Sequence, residues 1–132
     1  MKLVPICLFT YKRLNETQQT VEALKKNYLA SESELFIFSD GPKNEIDNEQ
    51  IQNVREFIRG ISGFKKITIY EAIYNKGLAN SIISGVSQIL KEHDKVIVLE
   101  DDLITSPNFL DFMNQALNFY ENNPKIHSIS GY

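Results

Sequence analysis

The sequence contains one cysteine, Cys7, in 132 residues. A single thiol forms no internal disulfide, and no CxxC pair is present for zinc, so a reducing compartment fits best. Long apolar runs are also missing: nothing approaches the ~20 residues that cross a bilayer. The opening MKLVPICLFTYKR closes on charges and has no small-residue cleavage site after it, unlike a signal peptide. Basic excess is lacking too. Fourteen Lys and Arg stand against 17 Asp and Glu, for a net charge of −3, and the isoelectric point is about 5.4. A nucleic-acid partner, which needs a basic stripe for its phosphates, is not expected. There is no internal repeat, low-complexity tract or linker, so residues 1–132 read as a single domain. With 42% apolar and 23% charged residues, the chain is not a disordered tail, a collagen-like fibre or a coiled coil. A domain of this size buries a little under ~70% of its unfolded surface and holds a core without staples.

Short apolar runs alternate with helical periodicities. Val4 to Phe9, Glu34 to Ser39, Lys66 to Glu71, Lys95 to Leu99 and Ile126 to Ser130 read as strands, the first two buried on both faces. Asn15 is expected to cap the first helix, with Gln18 in the reciprocal capping-box position and Val21, Leu24 and Tyr28 as its apolar stripe. Ile51, Val54, Phe57 and Ile58 mark a second helix ending at Gly60. Gly77 to Lys91 marks a third. A fourth is expected to start with Ser106 as cap and Pro107 at its first position, lined by Leu110, Met113, Leu117 and Tyr120. Strands alternating with helices predict an α/β domain, three layers with a mostly parallel sheet. The final strand has no element after it to cover it, so the sequence reads as the front part of a longer protein. A free sheet edge there would promote self-association.

In an open parallel sheet, ligands bind beyond the carboxyl ends of the strands. Those ends carry Thr10, Tyr11, Lys12 and Arg13, then Ser39-Asp40-Gly41, then Asn75-Lys76-Gly77, then Glu100-Asp101-Asp102. Carboxylates mixed with cations suit a ligand with phosphates, a metal and a polar base or sugar. Three adjacent acids repel, and crowding is expected to raise their pKa values unless a divalent cation relieves it. On an extended backbone Glu100 and Asp102 would point to one side and Asp101 to the other. A solvated acidic loop is the plainer alternative; the position after the strand-like run KVIVL favours a ligand site. For Arg13 the plainer reading is a surface cation beside a helix start, and for Asp40 a turn residue. Cys7, His93 and His127 read as structural.

Four segments in order, VPICLFTYKR, ELFIFSDGPK, YNKGLANS and VIVLEDDLITSPNFLDF, resemble the nucleotide-sugar-binding half of GT-A-fold glycosyltransferases, most of all family 2-like enzymes. The Glu-Asp-Asp form is also similar to the N-acetylglucosaminyltransferase I type. The resemblance covers essentially the whole chain. It implies a Rossmann-like nucleotide-diphospho-sugar transferase fold, here truncated, and a UDP- or GDP-type sugar donor. It places Thr10, Tyr11 and Arg13 at the base and diphosphate, Asp40 at the base, and Lys76 with Asn75 before the third helix. Asp102 is the implied ligand of Mn²⁺ or Mg²⁺, with Glu100 and Asp101 at the ribose or behind the metal. A sugar or lipid-linked acceptor, a role in polysaccharide biosynthesis and a cytoplasmic location follow from the same resemblance, with the inner membrane face as the site of the full-length protein.

Two features depart from the family. Asp40-Gly41-Pro42 replaces the commoner Asp-Asp-Gly-Ser, and the family's general base lies downstream, in an acceptor-binding half this sequence does not contain. No catalytic residue is therefore assigned, and the 132 residues alone are expected not to transfer sugar. Two rivals remain. A nucleotidyltransferase would show a Gly-rich basic loop after the first strand, and FTYKRLNET has no glycine. A receiver-like Mg²⁺-binding signalling domain would carry its acids after the first strand, where Thr10 and Tyr11 stand.

Overall fold

Five consecutive buried residues, Ile6–Thr10, form β1, the central strand of the sheet. A computed structural model describes residues 2–121. Along the chain come α1 (Leu14–Lys25), β2 (Glu34–Ser39), α2 (Asn48–Arg59), β3 (Lys66–Glu71), α3 (Leu78–Ile89), β4 (Ile97–Glu100) and α4 (Phe109–Phe119). Short 3-10 turns at Ala30–Glu32 and Glu45–Asp47 precede β2 and α2. All pairings are parallel, in the order β3-β2-β1-β4. The expected α/β class, with a parallel sheet between helical layers, is what the chain adopts. The order also excludes the receiver-like alternative, whose sheet places β1 between β2 and β3; here β1 lies between β2 and β4. The strand read at Ile126 to Ser130 lies outside the described residues.

Alternation along the strands divides the core. Ile6, Leu8, Leu35, Ile37, Ile97 and Leu99 face Val21 and Leu24 of α1, Val54 and Ile58 of α2, and Leu110 and Met113 of α4. Cys7, Phe9, Phe36 and Phe38 face the other way, toward Ile82, Val86 and Ile89 of α3. Burial drives the Cys7 thiol up to about 12, as befits a core residue. His93 packs edge-on against Phe36.

Several local expectations fail for tertiary reasons. Asn15 does not cap α1: the helix starts at Leu14 with Arg13 at the cap position and no capping side chain. The Arg13 carbonyl instead accepts from the Thr17 amide and hydroxyl. Tyr28 does not join the stripe; α1 stops before it and the ring is 73% exposed. Ser106 and Pro107 do not open α4, which begins at Phe109 after Asn108. The Pro107 carbonyl is taken by the Tyr28 amide, and Asn27 accepts from the Leu110 amide, so α4 is anchored by the α1 end. Tyr120, expected inside, is the residue that ends α4 and is exposed.

Candidate functional site

The chain reverses its direction of travel across the sheet at β1. Strands β2 and β3 add on one side, and β4 returns to the other. Loops leaving β1 and β4 therefore diverge, and such a switch point is where open α/β sheets hold ligands. A cleft of about 370 Å³ opens there. Thr10, Tyr11, Lys12 and Arg13 line it from β1, Asp40 and Lys43 from the β2 loop, and Glu100 and Asp101 from β4. Phe9, Phe38, Leu78 and Ser81 also line it.

Asp40 organises one wall. Its Oδ1 accepts from the Gly41 amide at 2.8 Å and the Lys76 amide at 2.9 Å. Its Oδ2 accepts from the Gly77 amide at 3.0 Å and the Asn75 side chain at 3.1 Å. Four donors fill the capacity of a carboxylate, so the acid expected at the base is committed to the chain itself. Gly77 comes after this turn with φ +80°, a conformation that favours glycine. Gly41 passes so close to the opposite loop that a Cβ there would stand 2.5 Å from the Tyr74 carbonyl carbon. Asn75 lines the cleft, whereas Lys76 lines a neighbouring cleft of about 420 Å³ beside β3 and contributes its amide rather than its cation here.

Arg55 supports this wall from beneath. Its buried guanidinium donates to the Ser39 hydroxyl and to the carbonyls of Ser39, Asp40 and Ala72. The sequence carries its signal: Arg55 lies four residues after Ile51 and three before Ile58, on the apolar stripe of α2. A charge in that place is buried, and a buried charge must be fully hydrogen-bonded.

The opposite wall is held by ion pairs. Arg13 donates to Asp101 at 2.5 Å and lies 3.6 Å from Asp102. Thr20 donates to the Asp101 carbonyl at 2.9 Å. Burial raises the Asp101 pKa above its ordinary value, and Arg13 pulls it partly back; the neighbouring Asp102 charge is the smallest influence. The pKa of Arg13 is pushed up in return, chiefly by that bond. Crowding of like charges is thus not the main cause of the shift. The expected alternation of Glu100, Asp101 and Asp102 also fails, because the strand ends at Glu100 and the chain turns there.

At the mouth, the Tyr11 hydroxyl donates to Asp47 at 2.7 Å and accepts from the Lys43 amide at 2.8 Å. Lys12 pairs with Asp47 at 3.2 Å. Tyr11 is raised in pKa, by burial and then by Asp47, while the Tyr11 bond is the largest cause lowering Asp47. Asp47 carried no sequence signal beyond membership of a polar, acidic stretch. The Thr10 hydroxyl donates to the Phe38 carbonyl and so serves the sheet.

Among the described residues no three His, Cys, Asp or Glu side chains stand together as a metal cage. Asp101 is engaged by Arg13, while Asp102 is half-exposed. Mg²⁺ commonly takes one or two carboxylates completed by ligand phosphates; of the two remaining acids, Glu100 lines the cleft and Asp102 is not among its lining residues.

No family model and no curated protein matches the chain. Among solved structures it is similar to S. aureus TarS, with a TM-score of 0.60 and 11% identity. The match covers 96% of this chain and 23% of that one, so the chain spans about a quarter of its neighbour's length. At that identity the likeness establishes the fold alone: a Rossmann-like α/β arrangement with a parallel sheet. No described helix is long and apolar enough to cross a membrane.

Proposed function

We propose that the chain is the donor-binding part of a glycosyltransferase, holding a nucleotide-diphospho-sugar in the cleft between β1 and β4. The observation that carries this reading is the make-up of that cleft. The half-buried ring of Phe38, stacked on the buried Phe9, lies beside the cations Lys12, Arg13 and Lys43 at the carboxyl edge of a parallel sheet. A ligand with a planar ring at one end and a diphosphate further along satisfies both. The fold shared with TarS, a glycosyltransferase, supports the same reading.

Arg13 lines the cleft while pairing with Glu16, Asp101 and Asp102, and its half-exposed planar fork can turn in part to a diphosphate. Asp102, with Glu100 beside it, would hold Mn²⁺ or Mg²⁺. When bound, the ion neutralises charge on the departing diphosphate. The acceptor, a sugar or lipid-linked hydroxyl, would be activated by a carboxylate base outside these residues. The donor-binding part alone then binds without transferring. Cytoplasmic placement at the inner membrane face and a part in polysaccharide synthesis belong to the same proposal.

Calorimetry with UDP and GDP, with Mn²⁺ and then with EDTA, tests it. Binding of one nucleotide, strengthened by Mn²⁺ and losing that strengthening in Asp102→Asn, is the expected result. Equal binding in EDTA removes the metal from the proposal. Failure of both nucleotides in every condition removes the donor site.

A further inference from the structure

We propose that the Ser81 hydroxyl is the group that reads the edge of the nucleotide's base; this rests on the donor-binding reading above. Ser81 lies in the first turn of α3 and lines both the main cleft and the neighbouring cleft beside β3. Its Oγ is the one buried side-chain polar atom among the described residues with no hydrogen-bond partner. Serines in helices commonly bond the carbonyl four residues back. Here the Gly77 carbonyl accepts the Ser81 amide at 2.9 Å, and the hydroxyl remains unpaired. A buried polar atom without a partner is costly, and a ligand is one way such an atom becomes satisfied.

The surroundings identify the ligand chemistry. Phe9 and Phe38 stack at 5.0 Å between centroids, and Phe38 and Tyr70 continue the row at 5.0 Å. Phe9, Phe38 and Leu78 make the cleft apolar beside Ser81. A hydrated sugar gains little from such walls, whereas a planar heterocycle buries both its faces and needs one polar partner at its edge. The resemblance gave that role to Asp40, but four donors of the chain itself already occupy the Asp40 carboxylate. Ser81 has both a donor and an acceptor to offer. Ser81 is itself only half-buried and lines the cleft, and its hydroxyl has one side-chain torsion about which to turn to a ligand.

The test is Ser81→Ala, which keeps Cβ and the helix and deletes only the hydroxyl. Calorimetry with UDP and GDP in Mn²⁺ should show the favoured nucleotide bound about threefold to tenfold more weakly, the worth of one ordinary hydrogen bond. The preference between the two nucleotides should shrink by the same factor. Without nucleotide, the melting temperature should rise, because an unsatisfied buried group has been removed. A purely structural serine would not lower affinity while raising stability. If wild type and variant bind the favoured nucleotide equally, Ser81 does not read the base and the inference falls while the donor site stands. If wild type binds neither nucleotide, the donor-binding reading falls and takes this inference with it.

Discussion

Ile37 and Phe38 are neighbours on β2, and they face two different worlds. Ile37 is fully buried beneath α1 and α2, in a core that α4 completes. Phe38 is half-buried on the other face, where α3 is the only described helix, and its ring forms part of the cleft. Three helices seal one face and one helix roofs the other. The sealed face supplies most of the stability, at about 1.5–3 kcal/mol for each fully buried aliphatic side chain. The thin face keeps aromatic surface accessible, where it can be exchanged for a ligand.

Truncating each neighbour in turn should expose that division. Ile37→Ala is expected to cost about 3–4 kcal/mol in denaturant unfolding, because three helices and two flanking strands prevent the hole from collapsing. Phe38→Ala removes a larger group yet should cost only about 2 kcal/mol, since part of its ring already meets solvent; its larger effect should be weakened nucleotide binding in calorimetry. A Phe38 variant less stable than the Ile37 variant would mean that the thin face carries the fold.

The smallest effect concerns the rim where the two faces meet, and it depends on pH. Asp101 has a folded-state pKa above the ordinary 3.8. The folded protein therefore holds that proton more tightly than the unfolded chain. Stability falls as pH climbs from the ordinary value through the raised one, and this contribution is constant above it. Arg13 limits the rise. Arg13→Met leaves burial unopposed, raises the Asp101 pKa further and extends the descent to higher pH. The deficit of the variant should be near zero well below pH 3.8 and about 1–2 kcal/mol at neutral pH, reduced from a fully buried pair because Arg13 is half-exposed. Urea midpoints across that range measure it, and a deficit independent of pH would show that Arg13 acts by packing.

The sealed face was the legible one. The near-continuous apolar run of β2 and the Ile51, Val54, Ile58 stripe of α2 are sequence patterns, and strands β2 and β3 fall where the sequence reading puts them. The four loops that form the cleft rim were also readable, since a parallel sheet gathers the loops leaving its strands along one edge. The pairings within the rim were not. Arg13 meets Asp101 across 88 positions, and Tyr11 meets Asp47 across 36. No local rule connects such residues. The displaced start of α4 has the same origin, because Asn27 and Pro107 bind across elements rather than along the helix. Arg55 was visible as a misfit on an apolar stripe, and Ser81 only becomes notable once its missing partner is seen.

The central place of β1 has a consequence in time. It is made well before one of its two neighbours, β4, which begins at Ile97. At ribosomal speeds of ~5–20 residues per second, β1 waits roughly 5–20 s for that neighbour. Until then one edge of a wholly buried strand has no partner, and neither the Arg13–Asp101 pair nor the Thr20–Asp101 bond can exist. The cleft therefore cannot form before β4 is made, and a chain that binds its ligand there has by that fact already paired β1 with β4.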